Sequence, residues 1–74
     1  MPRMPKVTAK EAIRALRRDG WQVTSQVGSH VHLTHAVKPG KVTVAMHGGT
    51  IKDGTMKSIL RQALLTVDQF AELM

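Results

Sequence analysis

Gly28-Ser29-His30-Val31-His32-Leu33-Thr34 is the stretch on which the reading of this chain turns. A glycine–serine turn runs directly into an alternation, with Val31 and Leu33 on one side and His30, His32 and Thr34 on the other. A period of two marks a strand buried on one face only. Upstream, Trp21 and Val23 alternate with Gln22 and Thr24. Downstream, Lys38-Pro39-Gly40 is a second turn signal, after which Val42, Val44 and Met46 alternate with Thr43, Ala45 and His47. Short connections between three such segments predict two antiparallel hairpins, hence a three-stranded meander.

The flanking segments change period. Thr8 and Glu11 have capping-box spacing, and Ala9, Ala12, Ile13 and Leu16 recur at i, i+3, i+4 and i+7, the apolar stripe of a helix. Gly20 is placed to end that helix in a left-handed conformation. Lys10, Arg14, Arg17 and Arg18 form a basic ridge beside the stripe. His47-Gly48-Gly49-Thr50 breaks the sheet, and after Lys52-Asp53-Gly54 a second helix shows Met56, Ile59, Leu60, Ala63 and Leu64 at helical spacing. Thr66 and Gln69 repeat the capping-box spacing ahead of Val67, Phe70, Ala71 and Leu73, which predicts a short third helix at the C-terminus.

The expected fold is therefore α+β, in the order α-β-β-β-α with the short helix added. One antiparallel three-stranded sheet carries two helices on one face and is open on the other. Pattern places Trp21, Val23, Val31, Leu33, Val42, Val44 and Met46 on the covered face. Gln22, Thr24, His30, His32, Thr34, Thr43 and His47 fall on the open face, while His35 sits at a strand end where parity carries little weight. Residues 1–6, with two prolines and no periodicity, read as a flexible arm, and residues 7–74 as a single domain.

Composition bounds the function. The chain has 74 residues, no cysteine, and 11 Lys/Arg against 5 Asp/Glu, for a formal charge of +6. A disulfide framework and thiolate metal sites are excluded, and so small a chain builds one modest core. Met1-Pro2-Arg3-Met4-Pro5-Lys6 has no apolar run that would serve as a signal peptide, and no segment is long and apolar enough to span a bilayer. A soluble, cytoplasmic protein is the expectation. The charge favours an acidic partner, and it is uneven: the tail from Thr66 onward carries only Asp68 and Glu72.

Histidine alone has an unperturbed pKa suited to proton exchange near neutrality. His30 fits a general acid or base, and it equally fits a solvated strand histidine after a turn; pattern does not choose between them. His32, two residues on, shares its face, and His47 ends the third strand. His30-x-His32 has ligand spacing, but no cysteine or nearby carboxylate joins it, so no metal site and no cofactor are expected. At the start of the second helix, Lys52, Gly54, Thr55, Lys57 and Arg61 combine free backbone N–H groups, the positive dipole end and cations, which fits a seat for a phosphate and equally a capped helix with a solvated basic face. Trp21 and Phe70 are the only aromatic residues apart from histidine, and Trp21 has core parity, which argues against recognition of single strands by stacking.

Four blocks together resemble the HicA-type (YcfA-like) toxins of bacterial toxin–antitoxin pairs. They are Ala12-Ile13-Arg14-Ala15-Leu16-Arg17-Arg18-Asp19-Gly20-Trp21, Gly28-Ser29-His30-Val31-His32-Leu33, Val42-Thr43-Val44, and Gly54-Thr55-Met56-Lys57-Ser58-Ile59-Leu60-Arg61-Gln62-Ala63-Leu64. They stand in that family's order and spacing over roughly residues 7–66. The resemblance implies a double-stranded-RNA-binding-domain-like fold, metal-independent endonucleolytic cleavage of mRNA, and neutralisation by a cognate HicB-type antitoxin. It places the catalytic histidine at His30. From the residues themselves, His32 and His47 are candidate helpers, and Gly28, Ser29, Lys52, Gly54, Thr55, Lys57 and Arg61 are candidate RNA contacts. The chain departs from the family where Ala63-Leu64-Leu65 replaces the usual Ala-Gly-Leu at the helix end, and where Leu33 stands in a position often aromatic. A non-catalytic RNA-binding module and a pure interaction subunit are the alternative readings of the same surface.

Overall fold

The computed structural model describes residues 4–74. The elements run α1 (Ala9–Arg18), β1 (Trp21–Val27), β2 (His30–His35), β3 (Lys41–Ala45), α2 (Asp53–Ala63) and α3 (Val67–Glu72). The strands pair antiparallel in the order β1-β2-β3, as the two short turns require. This is the expected α+β architecture with its third helix, arranged as in double-stranded-RNA-binding domains. Of the arm expected over residues 1–6, residues 1–3 lie outside the described residues. Met4 packs against the core, and Lys6 pairs with Asp53 at 2.8 Å.

Each helix starts and stops for a local reason. Thr8 and Thr66 both form complete capping boxes, the hydroxyl accepting the N–H of Glu11 and Gln69 while those side chains accept the cap N–H. The bond from the Thr8 N–H holds the Glu11 carboxyl below its ordinary range. Val7, just before α1, is fully buried, and its carbonyl accepts the Ile51 N–H at 2.8 Å. The entry to α1 is thereby tied to the segment that leads into α2.

One contiguous core fills the space between sheet and helices. Trp21, Val31, Leu33, Val42 and Val44 meet Ala12, Ala15 and Leu16 of α1, Met56, Ile59, Leu60 and Ala63 of α2, and Phe70 of α3. Each fully buried side chain of this size contributes about 1.5–3 kcal/mol. Two expectations for the covered face need correction. Val23 opposes Leu33, as its parity requires, yet is 47% exposed, because on the edge strand β1 it faces an open groove beside α1. Met46 and His47 fall outside β3, which ends at Ala45, where the chain turns and the Met46 N–H goes to the carbonyl of Ser29.

A β-bulge at Thr24 was not expected. Val23 pairs with Leu33 and Ser25 with His32, so Thr24 and Ser25 together oppose one residue. Beyond the bulge the parity of β1 is reversed: Gln26 opposes Val31 on the helix side, and Val27 opposes His30 on the open side, 68% exposed.

The end of the sheet away from the Gly28-Ser29 turn is fastened by polar contacts. The Lys38 ammonium meets the Asp19 carboxylate at 2.6 Å and the Ala63 carbonyl at 3.0 Å. His35 Nε2 lies 2.6 Å from the Asp19 carbonyl, and its Nδ1 accepts the N–H groups of Val37 and Lys38. The ends of α1, β2 and α2 meet there.

Backbone constraints at this end generate two stability predictions. Gly20 has φ +108°, and a Cβ on it would lie 2.6 Å from His35 Nε2. Gly20→Ala should cost about 2–4 kcal/mol in urea denaturation. At the close of α2, Leu64 takes φ 57° and ψ 43°, the left-handed position that glycine fills most cheaply, and its side chain is 56% exposed. Leu64→Gly should instead stabilise by about 0.5–1 kcal/mol, net of the looser unfolded chain. Loss of stability in that variant would mean Leu64 packs more than its exposure indicates.

Candidate functional site

Val31 and Leu33 are held under the helices, so the intervening ring positions of β2 are held out. Register then arranges the uncovered face in rows. Val27, His30 and Ala45 form one row across the three strands, Ser25, His32 and Thr43 the next, and Gln22, Thr34 and Lys41 the third. Neighbours within a row are about 5 Å apart, and successive rows about 7 Å. His30 is exposed between two small or apolar neighbours. His32 is half-buried, and its Nδ1 is 3.0 Å from the Thr43 hydroxyl. A hydroxyl both donates and accepts, so it orients the His32 ring in either protonation state.

Ala45, directly across from His30, belongs to the wall of a pocket of about 450 Å³. His47, Gly48, Gly49, Thr50, Lys52 and Thr55 line the rest of its mouth, with Val44, Ile51 and Ile59 at its apolar side. The pocket lies at the start of α2. Lys52 is the N-cap residue in extended conformation, and among the described residues no side chain caps the free N–H groups of the first turn. Asp53 in that turn would oppose an anion, but its carboxylate is paired with Lys6. The pocket wall therefore includes Lys52 and Thr55 from a helix start whose first-turn N–H groups have no side-chain cap and which carries the positive end of the α2 dipole.

The expected phosphate-binding residues divide. Lys52 and Thr55 line the pocket, and Gly54 sits exposed in the same turn. Lys57 is about 160° around α2 from Thr55 and Arg61 about 120°, so the two share an outer row that does not line the pocket. Both are exposed. Gly28, with φ +59°, and Ser29 form the turn before His30, and the Ser29 carbonyl holds the Met46 N–H. His47 lines the pocket from the loop after β3, not from the strand. His35 is structural: both ring nitrogens engage backbone groups, and the ring packs edge-on against Trp21 at 5.2 Å between centroids.

Two contributors were not singled out from sequence. Thr43, read only as an open-face residue, orients His32, and the Gly48-Gly49 pair, read as a sheet breaker, forms pocket wall. Nearby, Gln62 reaches from α2 to accept the Thr43 N–H at 2.9 Å and donates to Ser58 at 3.2 Å, which closes the outer edge of β3. The helical spacing of Ser58 and Gln62 was visible, but nothing in it pointed to a strand edge. Among the described residues, no group of three or more His, Cys, Asp or Glu side chains is placed to hold a metal ion, and no helix is long and apolar enough to cross a membrane.

The fold and this face define a small basic α+β domain with an exposed histidine on the open face and a helix start that no side chain caps among the described residues. Residues 9–65 match the model of the HicA toxin family of bacterial toxin–antitoxin systems. The chain belongs to that family, as a toxin of a toxin–antitoxin system whose cognate partner is an antitoxin. No curated protein matches it.

The histidines should separate on stability alone. His35→Ala strips partners from the Asp19 carbonyl and two N–H groups and should cost about 2–4 kcal/mol. His30→Ala should stay within about 0.5 kcal/mol of the parent in the same denaturant titration, as expected of an exposed side chain.

Proposed function

We propose that this protein is an endoribonuclease that cleaves mRNA with His30 as its proton-transfer group, and that a HicB-type antitoxin neutralises it. One observation carries the reading: His30 is exposed on the uncovered face directly across from Ala45, whose pocket contains Lys52 and the uncapped start of α2. The backbone that carries this ring is thus one strand spacing from a residue in the wall of the pocket that would seat a phosphate. The family membership supports the same reading.

The chemistry is transesterification. The ribose 2′-oxygen attacks the adjacent phosphorus and loses its proton, the P–O5′ bond breaks, and the departing 5′-oxygen gains a proton. The products are a 2′,3′-cyclic phosphate and a free 5′-hydroxyl. His30 takes the first proton or supplies the second, which is worth about 10²–10⁴-fold in rate. Lys52 and the first-turn N–H groups of α2 hold the phosphodiester and stabilise the charge that grows on it. His32, oriented by Thr43, and His47, at the pocket mouth, are the groups available for the complementary transfer. Gly28 and Ser29 fix the backbone beside His30. Lys57 and Arg61 extend the cationic surface along the outer side of α2, where they contact more distant phosphates. The fold binds RNA by its backbone shape, as in double-stranded-RNA-binding modules.

His30→Ala should lower cleavage of a labelled mRNA by about 100-fold or more while leaving its affinity in a gel shift nearly unchanged. Cleavage by the parent should persist in excess chelator. Unimpaired cleavage by highly purified His30→Ala protein would remove His30 from the mechanism, and RNA binding without scission by the parent would leave a non-catalytic module. Lys52→Ala should weaken binding to RNA of any sequence and reduce the slope of log K against log salt by about 1.

A further inference from the structure

A second concave surface lies on the other side of the sheet, away from His30. It is a groove of about 700 Å³ between α1 and the outer strand β1. Its floor is apolar, with Ile13 from α1, Val23 from β1 and Met46 from the loop after β3. Its rim is cationic, with Lys10, Arg14 and Arg17 from successive turns of α1, and no carboxylate lines it. The bulge at Thr24 helps to build it, because the reversed parity turns Gln26 toward this side. Val23 is left 47% exposed there. None of the hydrogen bonds or ion pairs among the described residues involves the side chains of Lys10, Arg14 or Arg17, whereas Arg18 next to them donates to the Leu73 carbonyl at 2.7 Å.

We infer that this groove docks a segment of a partner protein in which apolar side chains are flanked by carboxylates. The charge complementarity is one-sided, with four cationic residues (Lys10, Arg14, Arg17 and Arg18) and no carboxylate in the lining, so an acidic occupant is required. The apolar floor decides between the two kinds of acidic macromolecule. A phosphate backbone gains nothing from Ile13, Val23 and Met46, and bases find no stacking surface, because Trp21 and Phe70 are both fully buried. A peptide gains from both parts, its apolar side chains on the floor and its carboxylates on the rim. In a toxin–antitoxin pair the antitoxin is the bearer of such a segment, and for that identity alone the inference rests on family membership. The groove and His30 are on opposite faces of the sheet, so the occupant anchors the partner without itself covering His30.

The test is fluorescence anisotropy on the full chain with a labelled peptide in which leucine alternates with glutamate. Peptides alternating serine with glutamate and leucine with lysine serve as controls, and an RNA oligonucleotide as competitor. The leucine–glutamate peptide should bind at least about tenfold more tightly than either control. Binding should fall by about tenfold or more in Arg14→Glu/Arg17→Glu and in Val23→Ser, both at exposed or half-exposed positions that leave the melting transition in place, and should persist in His30→Ala. The inference is overturned if the peptide does not bind, if either variant binds it as the parent does, or if the serine–glutamate peptide or the RNA occupies the groove equally well. None of these readouts involves cleavage, so failure here and failure of the nuclease reading are separate results.

Discussion

Val31 and Leu33 lie beneath the two helices, and a strand has a period of two, so His30 and His32 have no other place than the uncovered face. The rest of the molecule depends on this register. A slip of one residue would lift two apolar side chains into water and drive two imidazoles into a core that, among the described residues, contains no buried polar or charged residue. Packing energy and site geometry are thus one constraint seen from two sides of β2. The turn at Gly28-Ser29 starts the strand, the Met46 N–H on the Ser29 carbonyl holds β3 beside it, and Ala45 comes to rest opposite His30.

The stabilising polar contacts and the proposed site occupy opposite ends of the sheet. Asp19, His35, Lys38 and the Ala63 carbonyl fasten the end where α1 and α2 finish. The other end, with the Gly28-Ser29 turn, the loop after β3 and the start of α2, has exposed glycines, an uncapped helix and a pocket. One histidine serves the first end with both ring nitrogens engaged. His30 and His47 serve the second end with exposed rings, and His32 stands one row further in. The histidines of this chain therefore stand in different surroundings, decided by what the backbone places around each ring.

Much of the fold was legible in the residues. The alternation around His30, the turn signals, the two capping boxes and the helical stripes specify the order of elements and the covered face, because burial on one side forces periodicity on sequence. The bulge was not legible. A single extra residue in Thr24-Ser25 leaves no compositional mark, yet it reverses parity and turns Gln26 toward the helix side. The left-handed close of α2 was hidden as well, since Leu64 stands where glycine is usual and backbone hydrogen bonds to the Leu60 and Arg61 carbonyls close the turn regardless. At the site, Lys52 and Thr55 line one pocket, and His47, read only as the end of the third strand, joins them from the loop after β3, while Lys57 and Arg61 do not, because helical rotation carries them to the outer side. The pairing of His32 with Thr43 depends on strand register, which only the folded chain reveals.

The central claim is that the His30 ring meets the scissile phosphodiester while the His35 ring stays locked in the scaffold. The most direct measurement is the carbon-detected NMR response of the four histidine rings to an RNA that binds but lacks the attacking 2′-hydroxyl. The account predicts a large shift for His30 on binding and almost none for His35. A His30 resonance that does not move at saturating RNA, or a response led by His35, would contradict it.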